Sequence, residues 1–149
     1  MKIALGCDHG GFERMQEVKE HLTSLGHEYK DFGCYSTDRA HYPEHGEAAA
    51  RAVASGECDL GIVICTTGIG ISIAANKVRG VRCACCSDTF SAEMTRRHND
   101  ANMLAFGASV VGKGLALKLV DAFLGAEFES GGRHEMRVNM ISEIENNFR

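Results

Sequence analysis

Three features of this sequence predict an α/β fold. Strand-like runs alternate with stretches of helical periodicity along the whole chain. One run, Leu60 to Ile64, is apolar throughout but for Gly61, the pattern of a parallel strand covered on both faces. Glycine-rich turns follow strands at Gly10-Gly11 and at Gly68 and Gly70, where the chain must reverse into a helix. Strands separated by helices pair in parallel, because each helix carries the chain back to the sheet's starting edge. The expected architecture is a doubly wound, Rossmann-like domain with a five-stranded parallel sheet and helices on both faces. With 149 residues, the chain has the length of about one such domain, 1–149.

The elements follow in order. Residues 2–7 read as the first strand, and Phe12, Met15, Val18, Leu22 and Leu25 recur at helical spacing until Gly26 stops them. Residues 27–32 form a weaker second strand. Pro43 opens an alanine-rich helix that runs to Ala54, since proline suits the first helical turn. The buried strand ends at Cys65, and a short helix is expected over 71–77. Residues 81–85 form the fourth strand; Asp88 can then cap a helix that ends near His98. Residues 103–106 are the fifth strand and 115–124 a helix closed by Gly125. Met136, Met140, Ile141 and Ile144 mark a last helix after Gly131-Gly132.

Composition narrows the function classes. The net charge of −4 and the lack of a basic run argue against a nucleic-acid partner. No apolar run approaches the roughly 18 residues a membrane span needs, and the first residues lack the pattern of a secretory signal, so a cytoplasmic protein is expected. An odd count of seven cysteines fits free thiols in a reducing compartment better than a disulfide framework. Cys83, Cys85 and Cys86 lie close together, but no second Cys or His pair stands at a zinc-like spacing nearby. Core packing is their expected role, and no metal is expected.

The segment most suggestive of chemistry runs from Asp59 through Cys65 to Gly70. It sets a cysteine at the carboxyl end of a buried strand and follows it with a glycine-rich turn into a helix. Unpaired amides at such a turn favour a thiolate and can meet an oxyanion. A buried small hydrophobe is the competing reading for Cys65. The first strand ends in Cys7-Asp8-His9-Gly10-Gly11, so Asp8 and His9 share the carboxyl rim where ligands bind in such sheets. Asp8 could equally cap the first helix. A dinucleotide site is disfavoured, because Ile73 stands where the third glycine of the fingerprint belongs.

Four segments, Gly6-Cys-Asp-His9, Ile64-Cys-Thr-Thr-Gly-Ile-Gly through Lys77, Arg97-His-Asn-Asp-Ala-Asn102 and Gly131-Gly-Arg-His-Glu-Met-Arg137, resemble the type B ribose-5-phosphate isomerases in order and spacing. The resemblance covers the whole chain. It implies cofactor-free interconversion of ribose 5-phosphate and ribulose 5-phosphate, with the allose- and galactose-6-phosphate isomerases as relatives. It also implies roles: Cys65 as the base at C2, His98 as the group that opens the sugar ring, and Thr67 as a proton shuttle. Asp8, His9, Tyr42, Asn99 and the turn residues Thr66, Gly68, Ile69 and Gly70 would line the substrate. Arg133 and Arg137, four apart on one helix face, would grip its phosphate. Each has a plainer alternative: a cap for Thr67 or His98, a solvated face for the arginines, packing at a helix start for Tyr42.

Two positions depart from the family's pattern. Thr66 stands where a glycine or another small residue is usual, and Ser109 where arginine is frequent. The first adds bulk beside the base, and the second removes a cation. Allose 6-phosphate stays an alternative substrate, and a non-catalytic sugar-phosphate or nucleotide-binding module is the alternative class. Chain direction adds an expectation about assembly. A helix starting at Asp88 descends roughly 15 Å over ten residues, leaving His98 and Asn99 far from the rim that carries Cys65. Arg133 and Arg137 face the same problem after the 115–124 helix. A homodimer with shared active sites, or a dimer of such dimers, removes it.

Overall fold

The computed structural model describes residues 1–148. Its strands are β1 (Lys2–Cys7), β2 (Glu28–Asp31), β3 (Leu60–Cys65), β4 (Cys83–Cys85) and β5 (Met103–Gly107). Its helices are α1 (Phe12–Ser24), α2 (Tyr42–Ala54), α3 (Ile69–Ala75), α4 (Thr89–Asn99), α5 (Lys113–Leu124) and α6 (Arg133–Asn147). The five strands form one parallel sheet in the order β2-β1-β3-β5-β4. The doubly wound expectation is met: the chain leaves β1 toward one edge of the sheet and leaves β3 toward the other. That reversal opens a crevice beyond the carboxyl ends of β1 and β3.

Alternation along the strands sends side chains into two cores. Leu5, Ile62, Ile64, Leu104 and Phe106 pack with Met15, Val18 and Leu22 of α1 and Leu119, Val120 and Phe123 of α5. Ala4, Val63, Cys65, Met103 and Ala105 face the alanines of α2 and Ile71 and Ala75 of α3. β3 is buried at all six positions, which explains why its sequence shows no polar alternation. Fully burying a side chain of Phe or Leu size contributes roughly 1.5–3 kcal/mol, so these layers hold β1, β3 and β5 as the rigid centre.

Several boundaries differ from the sequence expectation. β2 starts at Glu28 because the His27 amide is used to close α1, donating to the Leu22 carbonyl at 2.9 Å across Gly26 in the left-handed conformation. β4 starts at Cys83, not at 81, because the Arg82 amide is taken by the Asn102 side chain at 2.8 Å. α3 starts two residues earlier, at Ile69, since Gly68 already turns the chain. α5 likewise begins at Lys113. The last helix forms, but the apolar row that suggested it does not face a core. Met136, Met140, Ile141 and Ile144 are exposed, and only Val138 is buried.

All seven cysteines are unpaired, as expected. Core packing holds for Cys7, Cys34, Cys58, Cys83 and Cys86 and fails for Cys85, which is exposed. Burial pushes the Cys86 thiol up to about 11 and raises those of Cys7 and Cys83 further, which leaves them as inert apolar groups at neutral pH. Among the described residues no helix is long and apolar enough to cross a membrane.

Candidate active site

The sheet's carboxyl rim gathers the first group of expected residues. Cys65, 4% exposed, ends β3 in register with Gly107 of β5. The amide of Gly68 donates to its Sγ at 3.1 Å, a contact that stabilises negative charge on sulfur. Gly68 holds φ at +79°, and a Cβ there would stand 2.5 Å from the Phe106 carbonyl carbon, so no other residue fits this turn. Thr67 Oγ1 accepts from the Ile69 amide at 3.3 Å, a turn contact; the cap position of α3 is Gly68, so Thr67 is not the helix cap. Cys85 lies on the same rim, its thiol 3.9 Å from the Thr67 carbonyl oxygen. Burial raises the Cys85 thiol, and the neighbouring Cys65 adds to the effect.

The loops after β1 and β2 build the neighbouring wall. Asp8 is buried and accepts from the Gly11 amide at 3.1 Å, which fixes the turn before α1; the cap position itself is Gly11, so Asp8 is not the helix cap. His9 Nδ1 accepts from the Ala40 amide at 3.2 Å; that assigns the ring proton to Nε2 and leaves an N–H free to donate. Tyr42 opens α2, and its ring lies against Gly70: a Cβ on Gly70 would meet Tyr42 Cζ at 2.7 Å. A cleft of about 560 Å³ results, lined by Asp8, His9 and Tyr42 together with Arg39, His41 and Glu44. Those last three were not anticipated. The signal was there, because the loop following β2 must also emerge on the carboxyl rim.

Both departures find a local account. A Cβ on Gly10 would stand 2.4 Å from Thr66 Oγ1, so the missing side chain at position 10 makes room for the larger residue at 66. Ser109 borders a polar hollow of about 260 Å³ that also holds Arg14, whose guanidinium is paired with Glu17. A cation therefore remains beside position 109, supplied from α1.

The second group of residues lies at the other pole. α4 begins after Asp88, which accepts from the Ser91 amide at 2.7 Å, and descends over 11 residues, roughly 16 Å. His98 and Asn99 end it, just before the loop into the amino end of β5. Arg133 and Arg137 start α6 beside them, exposed, and among the described residues no carboxylate pairs with either. Two further residues complete this cluster. His134 stacks on His98 with ring centroids 4.1 Å apart and planes 4° from parallel, and Glu129 Oε2 lies 3.8 Å from His134 Nε2 and 4.0 Å from His98 Nε2. Two imidazolium rings so close would repel, and that repulsion disfavours a proton on His134. Burial lowers the proton affinity of His134, and His98 and Arg133 lower it further. Glu129 is held ionised by Arg97, which donates to its Oε1. His134 was legible between the two arginines of the last motif; Glu129, in the loop before α6, had no spacing signal.

Within one chain the two groups stay apart. The rim carries Cys65, Asp8, His9 and the amides of the Gly68 turn; the opposite pole carries His98, Asn99, Arg133 and Arg137. A third hollow, about 620 Å³, opens between α3, α4 and α6 and is lined by Arg82, Asn99, Ile141, Ile144 and Phe148.

Comparison with known proteins gives one answer. Residues 3–141 match the family model described as Ribose/Galactose Isomerase. Ribose-5-phosphate isomerase B of Escherichia coli is 54% identical over 144 residues, 97% of this chain and 96% of the relative. Ribose-5-P isomerase B of Listeria innocua is 42% identical, with 97% of both chains covered. The structure of Clostridium thermocellum ribose-5-phosphate isomerase B superposes with a TM-score of 0.98 at 53% identity, covering 100% of both chains.

Proposed function

The chain belongs to the ribose/galactose isomerase family, and from that premise we propose that it interconverts ribose 5-phosphate and ribulose 5-phosphate as a cofactor-independent aldose-ketose isomerase, residues 1–149 forming one isomerase domain. The observation that carries the chemistry is the Cys65 sulfur at the end of β3, receiving the Gly68 amide at 3.1 Å. A thiolate there removes the proton from C2 and, as the thiol, returns a proton to C1. The enediolate that forms carries negative charge on oxygen, and the amides of Thr67 to Gly70 can meet it without reorganising. Thr67 moves the hydroxyl proton between the two oxygens. Before this step His98 opens the furanose ring by general acid and base transfer, work suited to an imidazole.

Asp8, His9 through its free Nε2–H, Tyr42 and Asn99 bind the sugar hydroxyls. Arg133 and Arg137 grip the phosphate, because the planar guanidinium fork matches its oxygens. These two sets occupy opposite poles of one chain, so the working unit is a homodimer in which each site takes its rim from one subunit and its arginines and His98 from the other. The exposed apolar row Met136, Met140, Ile141 and Ile144 on α6 supports a partner at that pole. The free thiols support a reducing, cytoplasmic setting.

Incubation with ribose 5-phosphate in deuterated water tests the reading. Deuterium is expected at C1 of the ketose and, by the reverse reaction, at C2 of the aldose; bound but unexchanged sugar would instead mark a binding module. Allose 6-phosphate, run alongside, is expected to turn over more slowly.

A further inference from the structure

The lower pole has a second chemical capability. One ring nitrogen of His98, one of His134 and a Glu129 carboxylate oxygen all lie within 4.8 Å of one another. One oxygen, Oε2, faces both rings, at 4.0 and 3.8 Å. The other, Oε1, is held by Arg97 through Nε at 2.8 Å and through its terminal nitrogen at 2.6 Å. The carboxylate is thus fixed in orientation by an outer partner while Oε2 stays unclaimed. Such support is typical of carboxylates that ligate metals. Among the described residues no hydrogen bond engages either Nε2.

Two imidazoles and one carboxylate around an open side form a ligand set that zinc accepts, with a further position left for water. Zinc holds nitrogen and oxygen at about 2.0–2.2 Å, which sets tetrahedral neighbours roughly 3.3 Å apart. Closing from 3.8 and 4.0 Å asks for shifts of less than about 1 Å at the carboxylate, while the two parallel rings must turn out of their stack so that both nitrogen lone pairs point at one ion. Arg133 and Arg137 oppose a cation by charge, while Glu129 and the coordinate bonds favour it. Magnesium and calcium, which prefer oxygen ligands, do not suit the site.

We propose that His98, Glu129 and His134 bind a divalent transition ion of the zinc type, and that the bound ion inhibits the isomerase by occupying the His98 nitrogen needed for ring opening. The inhibitory half rests on the role given to His98 above. The binding half does not.

Cobalt(II), titrated into the Cys65→Ala protein, is the probe. One equivalent is expected, with visible ligand-field absorption, no sulfur-to-cobalt charge-transfer band, and displacement by zinc. Adding His134→Ala or the isosteric Glu129→Gln is expected to remove that equivalent. An equivalent that survives both substitutions, or one that carries the sulfur band, would overturn the site. In the wild-type chain zinc is expected to inhibit ribose 5-phosphate turnover reversibly on chelation. Either substitution should raise the half-inhibitory zinc concentration roughly tenfold or more, measured against each variant's own uninhibited rate. Zinc binding without loss of turnover would overturn the inhibitory half. A chain with no isomerase activity at all would sink the functional reading and leave the cobalt titration to decide the site.

Discussion

At the scale of single residues, Cys65 and Gly10 show two ways in which a side chain, or its absence, shapes the rim. Cys65→Ala removes the proposed base and little else, since the residue is small and buried. Its kcat is expected to fall by about 10²- to 10⁴-fold with KM nearly unchanged, because a proton acceptor acts in the transition state. Steady-state kinetics that retained more than about a tenth of wild-type kcat would remove Cys65 from the mechanism. Gly10 is explained by Thr66, whose Oγ1 lies 2.4 Å from where a Cβ would stand. Gly10→Ala should cost about 1 kcal/mol in denaturant unfolding through overpacking, and Thr66→Gly should recover most of it. A coupling energy below about 0.5 kcal/mol in the double-mutant cycle would show that the two positions are independent.

At the scale of elements, α6 is the most informative helix. Its sequence periodicity foretold a helix, yet the apolar row that gives the periodicity faces away from its own subunit's cores. Periodicity reports that a face will be buried; it does not report against what. The same helix starts with Arg133 and Arg137 one turn apart, both exposed. Arg133→Ala and Arg137→Ala should each raise KM for ribose 5-phosphate with a smaller effect on kcat, and inorganic phosphate should compete with substrate in the wild type and less so in the variants. Lysine should rescue poorly, since it keeps the charge and loses the bidentate fork. Two alanine variants with wild-type KM would make these arginines a solvated face.

At the scale of the whole molecule, the descent of α4 separates the two halves of the chemistry by roughly 16 Å of helix. Mixing the inactive Cys65→Ala and His98→Gln proteins, after dissociation and reassociation, should restore activity. Random pairing makes half the dimers mixed, each with one intact site in two, so about a quarter of wild-type activity is expected. Verified subunit exchange without recovery would show that Cys65 and His98 serve a site within one chain.

Much of this protein was set by sequence alone. The unbroken apolar run of β3 requires a strand covered on both faces, and its cysteine followed by Gly68 places a thiol at a turn only glycine can make, because these are local consequences of burial and backbone sterics. Other features had to await the tertiary structure, since they depend on atoms brought together from distant parts of the chain. Asn102 reaching Arg82 shortens β4, and α1 supplies Arg14 beside Ser109. Glu129 met His98 and His134 only when α4 and α6 packed together, because the three share no sequence period that could have announced them.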